Sequence, residues 1–485
     1  MSITRRRFIR GSGAVTAGFL GLHRYLSSPL FANTSTNQFD YAYPVRQPYR
    51  SQTEGFGELV TDPKRILDLP EGFTYKVLST TGQFMNDGLR VPGAPDGMAA
   101  FGLDTERVAI VCNHELEDGQ SFQGPFGLQN ELLDKIPNTK LYDTGHGKQP
   151  QLGGTSTLVY NLRRQTIESH FLSLAGTIRN CAGGPTPWGT WISCEETVVI
   201  GGDVLDRHHG YNFEVPANST MELCDPIPLK AMGRFKHEAV AVDPGTEIVY
   251  QTEDVEDGLI TRFIPSEPGN LKAGGRLEAL VIRDQISCDT RNWPDQSSKP
   301  FPVNQSLAVG WMPVDDTENL NDTMRTEAFA NGAAIFARGE GMWYGSGKIY
   351  FACTSGGVAK QGQIFVYQPS PHEGTSRESK QPGQLTLYLE PNNTQLLQYG
   401  DNLTVAPWGD LVLCEDGDED QYLRGITSDG RIYTLARNSY WGKSELCGVC
   451  FAPNHPTMFV NIQVPGITLA ITGPWEKLAQ TATPS

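Results

Sequence analysis

The chain has 485 residues and a formal charge of −16, and its 52 glycines and 32 prolines make up about a sixth of the whole. An acidic surface of this kind repels nucleic acid phosphates and argues against a nucleic acid partner, while it suits cations wherever its acids converge. The 38 % hydrophobic content is enough for a large core, but short apolar runs between Gly, Pro, Asn and Asp recur throughout, which points to an all-β protein.

The first element reads as an address. TRRRFIR, residues 4–10, precedes the apolar GSGAVTAGFLGL, and residues 1–32 hold five arginines and no acid. Adjacent arginines, then Phe and another basic residue, look like a twin-arginine export signal with cleavage near Ala32. The apolar part is too short to span a bilayer, so membrane contact is expected only during export, to a periplasm or beyond. Residues 33–72 read as an extended segment, 73–475 as the folded unit and 476–485 as a tail.

Six hairpins follow: DGMAAFGLDTERVAIVCNHE (96–115), NCAGGPTPWGTWISCEE (180–196), HEAVAVDPGTEIVYQTED (237–254), EGMWYGSGKIYFACTSGG (340–357), DNLTVAPWGDLVLCEDG (401–417) and CGVCFAPNHPTMFVNIQ (447–463). Each has a polar or sulfur start, an apolar strand, a turn, a second apolar strand and a polar exit. Counting back six places from Pro187, Pro244, Pro407 and Pro453 lands on Cys181, Glu238, Asp401 and Cys447. Such repetition predicts a six-bladed β-propeller with long loop insertions. Further strands fall in the gaps, among them STLVYNL, LITRFIP, QIFVYQP and RIYTLAR. FTYKVLST (73–80) precedes the first hairpin and GITLAITGP follows the last, so the two ends of the unit are expected to share one blade and close the ring.

In an antiparallel hairpin the start of one strand lies beside the end of the next, and in a propeller the innermost strands line a central channel. The starts and exits therefore converge. They comprise Asn113, His114, Glu115, Cys181, Glu195, Glu196, His237, Glu238, Glu253, Asp254, Arg338, Glu340, Asp401, Asn402, Glu415, Asp416 and Glu445. Taken singly, an acid at a strand exit is more often solvated than a ligand, and a buried thiol is usually inert. Together, so many carboxylates need cations or protons between them. Hard oxygen donors suit Ca²⁺ or Mg²⁺, and a thiolate adds a transition metal. Arg338 fits either a structural ion pair or a bidentate grip on a phosphate. Cys447 and Cys450 are three apart on a strand and point to opposite faces, so no CxxC chelate is expected.

These same residues resemble the PhoX family of bacterial alkaline phosphatases. The motifs are NHE (113–115), NCAGGPTPWGTWISCEE, GRFKHEAVAVDP (233–244), YQTED, ARGEG (337–341), the DN of GDNLTVAP, LCEDG and SELCGVCFAP with FVNIQVPG and GPW, spread over roughly residues 90–475. The resemblance implies a cluster of Fe(III) and Ca²⁺ in the propeller pore. It implies metal ligands at Asn113, Glu115, Cys181, Glu195, Glu196, Glu238, Glu340 and Asp401, with Cys181 as the thiolate bridging two irons and Arg338 facing the phosphate. The expected activity is hydrolysis of small phosphate monoesters by a monomer. Two alternatives stay open on sequence: a calcium-dependent propeller lactonase or phosphotriesterase, and a non-catalytic ligand-binding propeller. The sequence has no G-x-S-x-G elbow and no P-loop.

Overall fold

The computed structural model describes residues 49–479 apart from 118, 442 and 443. The export signal expected over residues 1–32 lies outside the described residues. Strands alternate with turns almost throughout, and the longest α-helix among the described residues is Met324–Ala330.

Six antiparallel hairpins supply the innermost strands: Pro95–Gly102, Asn180–Pro185, His237–Val242, Gly339–Gly345, Gly400–Val405 and Leu446–Phe451. Each innermost strand packs against the next, and the last packs against the first, so the ring is closed. That is the predicted six-bladed propeller. The first blade adds Arg107–His114, Gly153–Asn161 and Thr166–Thr177. The second has only three strands, ending at Asn212–Pro216. The third and fourth share an unpredicted strand, Ser306–Val314, which pairs with Gly275–Ile282 of one and Gln384–Leu389 of the other. Their outer edges are thereby joined into one nine-stranded sheet.

Closure is as expected. Thr74–Thr80 pairs with Ile467–Thr472 as the outermost strand of the sixth blade. The segment just before it is more than extended chain. Leu67–Pro70 and Leu59–Val60 add two strands to the outside of the fifth blade. Phe56, Phe73, Trp408 and Trp475 pack edge-to-face and stacked between those two blades, with centroids 4.6–5.4 Å apart. Their burial anchors both ends of the unit in one apolar plug.

The innermost strands approach very closely. A Cβ on Gly97 would lie 2.5 Å from Ala182 Cα, and one on Gly341 would lie 2.6 Å from Asn402 Cα. Together with Met98, Trp191, Met342 and Trp343 these positions line a narrow channel below the polar mouth.

Candidate metal centre

Each innermost strand carries a β-bulge at its start. The register shifts between Pro95 and Met98, Asn180 and Gly183, His237 and Val240, Gly339 and Met342, Gly400 and Leu403, and Cys447 and Cys450. A bulge places two residues opposite one and re-aims a side chain. The first extra residue is Asp96, Cys181, Glu238, Glu340, Asp401 and Gly448 in turn. Five of six equivalent positions thus carry a metal-ligating type, and all five are buried. In the sixth blade the strand arm from bulge to turn proline is one residue shorter. The six-place count therefore lands on Cys447, whose Sγ instead donates to Pro95 O at 3.1 Å, while Gly448 holds the ring position.

Strand alternation sorts the exit acids. His114, Glu195, Glu253, Cys353, Glu415 and Asn461 pair directly with the residues that precede the ring positions. The residue after each faces the opposite way. So Glu115, Glu196, Asp254 and Asp416 fall on the mouth side, and Glu195, Glu253 and Glu415 turn into the protein.

The inward acids are structural. Glu195, expected among the ligands, accepts from Ile178 N, His209 Nδ1, Gly210 N and Tyr211 N at 2.6–3.2 Å. His209 also meets Asp143 Oδ2 at 3.3 Å. Burial alone would lower the His209 pKa, but the Glu195 charge and the Asp143 hydrogen bond outweigh it and raise it to about 9. Glu253 accepts from Leu259 N at 3.0 Å, and burial raises its pKa to about 8. Glu415 is ion-paired to Arg424 at 2.8 Å. Asn113, also expected as a ligand, is a strut. Its Nδ2 donates to Ala182 O at 2.5 Å, and its Oδ1 accepts from Trp191 Nε1 and Ser193 Oγ at 2.8 and 2.9 Å. His114 is likewise held by Gly93 O and Ser156 Oγ.

Glu195 and Glu196 are thus separable by mutation. Glu195→Gln is expected to lower stability by about 3 kcal/mol, because it breaks a buried ion pair, with metal content retained. Glu196→Gln is expected to lose metal with little change in apo-protein stability. Differential scanning calorimetry and elemental analysis of the two variants check this, and the opposite pattern refutes the assignment.

Of the remaining residues, eight assemble into three groups whose ligand atoms lie within 4.8 Å of one another, while Asp401, expected among the ligands, and Asp416 fall in none of the three. Cys181, Glu196 and Glu238 form the first; Glu238, Asp254 and Glu340 the second; Asp96, Glu115 and Glu445 the third. Glu238 belongs to two of them. Its Oε2 is buried without a hydrogen-bond partner, as expected of a group that awaits a cation. Burial first, and then the charges of Glu340, Glu196, Asp401 and Asp254, push its pKa well above the usual carboxylate range. Asp401 accepts from Asn402 Nδ2 at 3.0 Å. Cys181 is fully buried with Sγ 3.3 Å from His237 O, and burial followed by the Glu238 and Glu196 charges pushes its thiol well above its ordinary value. A buried thiol among carboxylates ionises only when a cation takes the proton's place and the proton is released, and this donor set fits one.

Two arginines brace the acids. Arg338 places Nε and Nη2 on the two oxygens of Asp254, each at 2.7 Å, and Nη2 on Glu340 Oε1 at 2.9 Å. Arg179 was not foreseen. It pairs with Glu196 and with Glu115 Oε1, the latter at 2.8 Å, and so ties the first group to the third. Asp96 was missed as well. Its hairpin turns without a proline, so the six-place count never reached it, although DGM (96–98) parallels EGM (340–342).

The sequence profile of alkaline phosphatase PhoX matches residues 54–466. The chain belongs to the PhoX alkaline phosphatase family. Among solved structures, Pseudomonas fluorescens PhoX in complex with vanadate, a transition state analogue, is similar with a TM-score of 0.59 at 16 % identity, over 88 % of this chain and 97 % of that one. A streptogramin B lyase (TM-score 0.37, 9 % identity, 83 % of this chain and 98 % of that one) and a Xanthomonas campestris gluconolactonase (0.33, 11 %, 82 % and 100 %) match less well. No curated protein matches the chain. The PhoX structure has this chain's fold, and the family is one of phosphoester hydrolases that depend on metals.

Proposed function

We propose that this chain hydrolyses phosphate monoesters at the mouth of the propeller, with Fe(III) held by Cys181 and its neighbouring carboxylates and Ca²⁺ held by carboxylates alone. The observation that carries the reading is Glu238, a buried acid shared by two ligand groups, one of which includes a thiol. Sulfur selects a transition metal and oxygen-only donors select a hard cation. Cys181, Glu196, Glu238, Asp254 and Glu340 would hold the first two sites, and Asp96, Glu115 and Glu445 the third.

When bound, such cations polarise the phosphoryl oxygens and offset the charge that gathers on the leaving oxygen. The chain supplies the rest. Asp254 and Glu340 fix the plane of the Arg338 guanidinium, and so hold its positive charge at the mouth where a phosphoryl group would bind. Cys181, Glu196, Glu238, Asp254 and Glu340, already placed by the fold, would hold the cations without rearranging, so little reorganisation would be left for the reaction itself. We further propose export by the twin-arginine route, given residues 4–10, and a monomeric enzyme.

The purified full chain is expected to hydrolyse p-nitrophenyl phosphate, to contain iron and calcium, and to show a visible band from thiolate-to-iron charge transfer. A colourless protein that is fully active with calcium alone would remove the role given to Cys181. A metal-loaded protein without activity on phosphate esters would refute the phosphatase reading.

A further inference from the structure

The bulge ring has a layer above it that repeats as regularly as the ligands. Two residues before the ring position stand Ala94, Arg179, Lys236, Arg338 and Tyr399. Each of their carbonyls accepts the amide of the mouth residue on the same blade. The pairs are Glu115 N to Ala94 O, Glu196 N to Arg179 O, Asp254 N to Lys236 O, Thr354 N to Arg338 O and Asp416 N to Tyr399 O, all at 2.9–3.1 Å. Four of the five hold a left-handed backbone, with φ of 42° at Ala94, 51° at Arg179, 55° at Arg338 and 51° at Tyr399. Non-glycine residues avoid that region unless the surroundings over-determine it. The turn itself belongs to the ring, since Ala94 and Tyr399 share it. What sets the second and fourth blades apart is a guanidinium at that place.

Arg179 and Arg338 are equivalent in backbone placement, although Arg179 pairs with the exit acid of its own blade and lies 3.7 Å from Glu117 Oε2, where Arg338 pairs with a ring-position acid. The amide of Arg179 donates to Leu116 O and that of Arg338 to Val255 O, in each case the residue after the mouth acid of the preceding blade. Each side chain then reaches back to that acid, Glu115 in one case and Asp254 in the other. Each also pairs with an acid of its own blade, Glu196 or Glu340. Their side chains are similarly exposed, at 23 % and 26 %. They flank Glu238, the acid shared by two ligand groups, from the blade on either side.

Building on the phosphatase reading above, we propose that Arg179 is a second phosphate-gripping residue that works opposite Arg338. An anion that approaches a mouth lined by carboxylates needs positive charge on more than one side. Two guanidinium groups held in place by acids, on the blades either side of Glu238, supply it, and a phosphoryl oxygen entering the mouth can share their N–H groups with those acids. Lys236 holds the equivalent backbone position on the blade between and makes no ion pair among the described residues.

The test uses the metal-loaded full chain, with p-nitrophenyl phosphate as substrate and inorganic phosphate as competitive inhibitor. The wild type is measured first, and absence of both hydrolysis and phosphate binding there overturns the phosphatase reading and this inference together. With an active wild type, Arg179→Gln is expected to raise the phosphate inhibition constant and the KM at least tenfold, with metal content and melting temperature unchanged. Unchanged phosphate inhibition with metals in place overturns the proposal. If Arg179→Gln loses metal or fails to fold, Arg179→Lys decides the matter, because it keeps the charge and removes the fork. A several-fold rise in its inhibition constant at full metal content supports the grip. A wild-type constant, or loss of metal in this variant too, assigns Arg179 to bracing Glu115 and Glu196 and overturns it.

Discussion

Cys181→Ala is expected to lose iron and phosphatase activity together, with activity falling by at least about a hundredfold while the propeller stays folded. The reasoning starts from burial. The thiol sits in the first extra position of the second blade's bulge, fully buried, with His237 O at 3.3 Å and Glu196 and Glu238 in the same ligand group. Nothing in that pocket stabilises a free thiolate, because burial and two nearby carboxylates all push its pKa up. A cation reverses this balance by lowering the cost of ionisation, and sulfur then binds a transition metal more strongly than carboxylate alone does. Alanine removes that donor and leaves only a small void, since it deletes a single heavy atom from the buried cluster that includes Cys194, Val240 and Ile192. Melting temperature in the metal-free state should therefore change little. Elemental analysis, visible absorption and p-nitrophenyl phosphate turnover of wild type and variant check the prediction. A Cys181→Ala protein that retains iron and full activity would refute the thiolate ligand. Cys181→Ser, which offers a hard hydroxyl in place of sulfur, is expected to restore little of the iron.

Much of this architecture was legible because a hairpin with a polar start and an acidic exit leaves a strong period-2 signature, and six copies cannot be accommodated except around an axis. The closing strand was legible for the same reason, since GITLAITGP lacked a partner and FTYKVLST lacked a blade. Ser306–Val314 was not, because it is half-exposed along most of its length and its pattern, SLAVGWMPV, does not alternate cleanly. The site was legible to the level of the hairpin and no finer. Glu195–Glu196, Glu253–Asp254 and Glu415–Asp416 are adjacent acids, and only the pairing register says which of each pair faces the mouth. The bulge adds one residue to that register without a sequence mark of its own, and the shorter arm of the sixth blade shifts the count by one more. Arg179 did leave a trace: RNC (179–181) and RGE (338–340) place arginine two residues before a ring position in both cases.

The metal-stripped protein is expected to lose stability as pH rises, and Glu238→Gln to remove part of that loss. The folded-state pKa of Glu238 lies well above the unfolded value near 4.5, through burial and then the charges of Glu340, Glu196, Asp401 and Asp254. Glu253 is raised to about 8, mainly by burial. An acid whose pKa is raised on folding binds its proton more tightly in the native state. Its contribution is fully present below the unfolded pKa, and it is lost as pH climbs towards the folded one. Between about pH 5 and 8 unfolding therefore releases protons, and each unit of raised pKa is worth about 1.4 kcal/mol. Glutamine resembles the protonated acid, so Glu238→Gln apo-protein should match wild type near pH 5 and exceed it at pH 8 by about 1–3 kcal/mol. With cations present the order inverts. The wild type then gains the free energy of binding to its folded state, and the variant, with a shared ligand removed from two groups at once, gains far less. Melting curves of both proteins at the two pH values, with and without chelator, read this out as a crossing. If the variant proves less stable than wild type under every condition, Glu238 is a structural acid and the shared-ligand assignment fails.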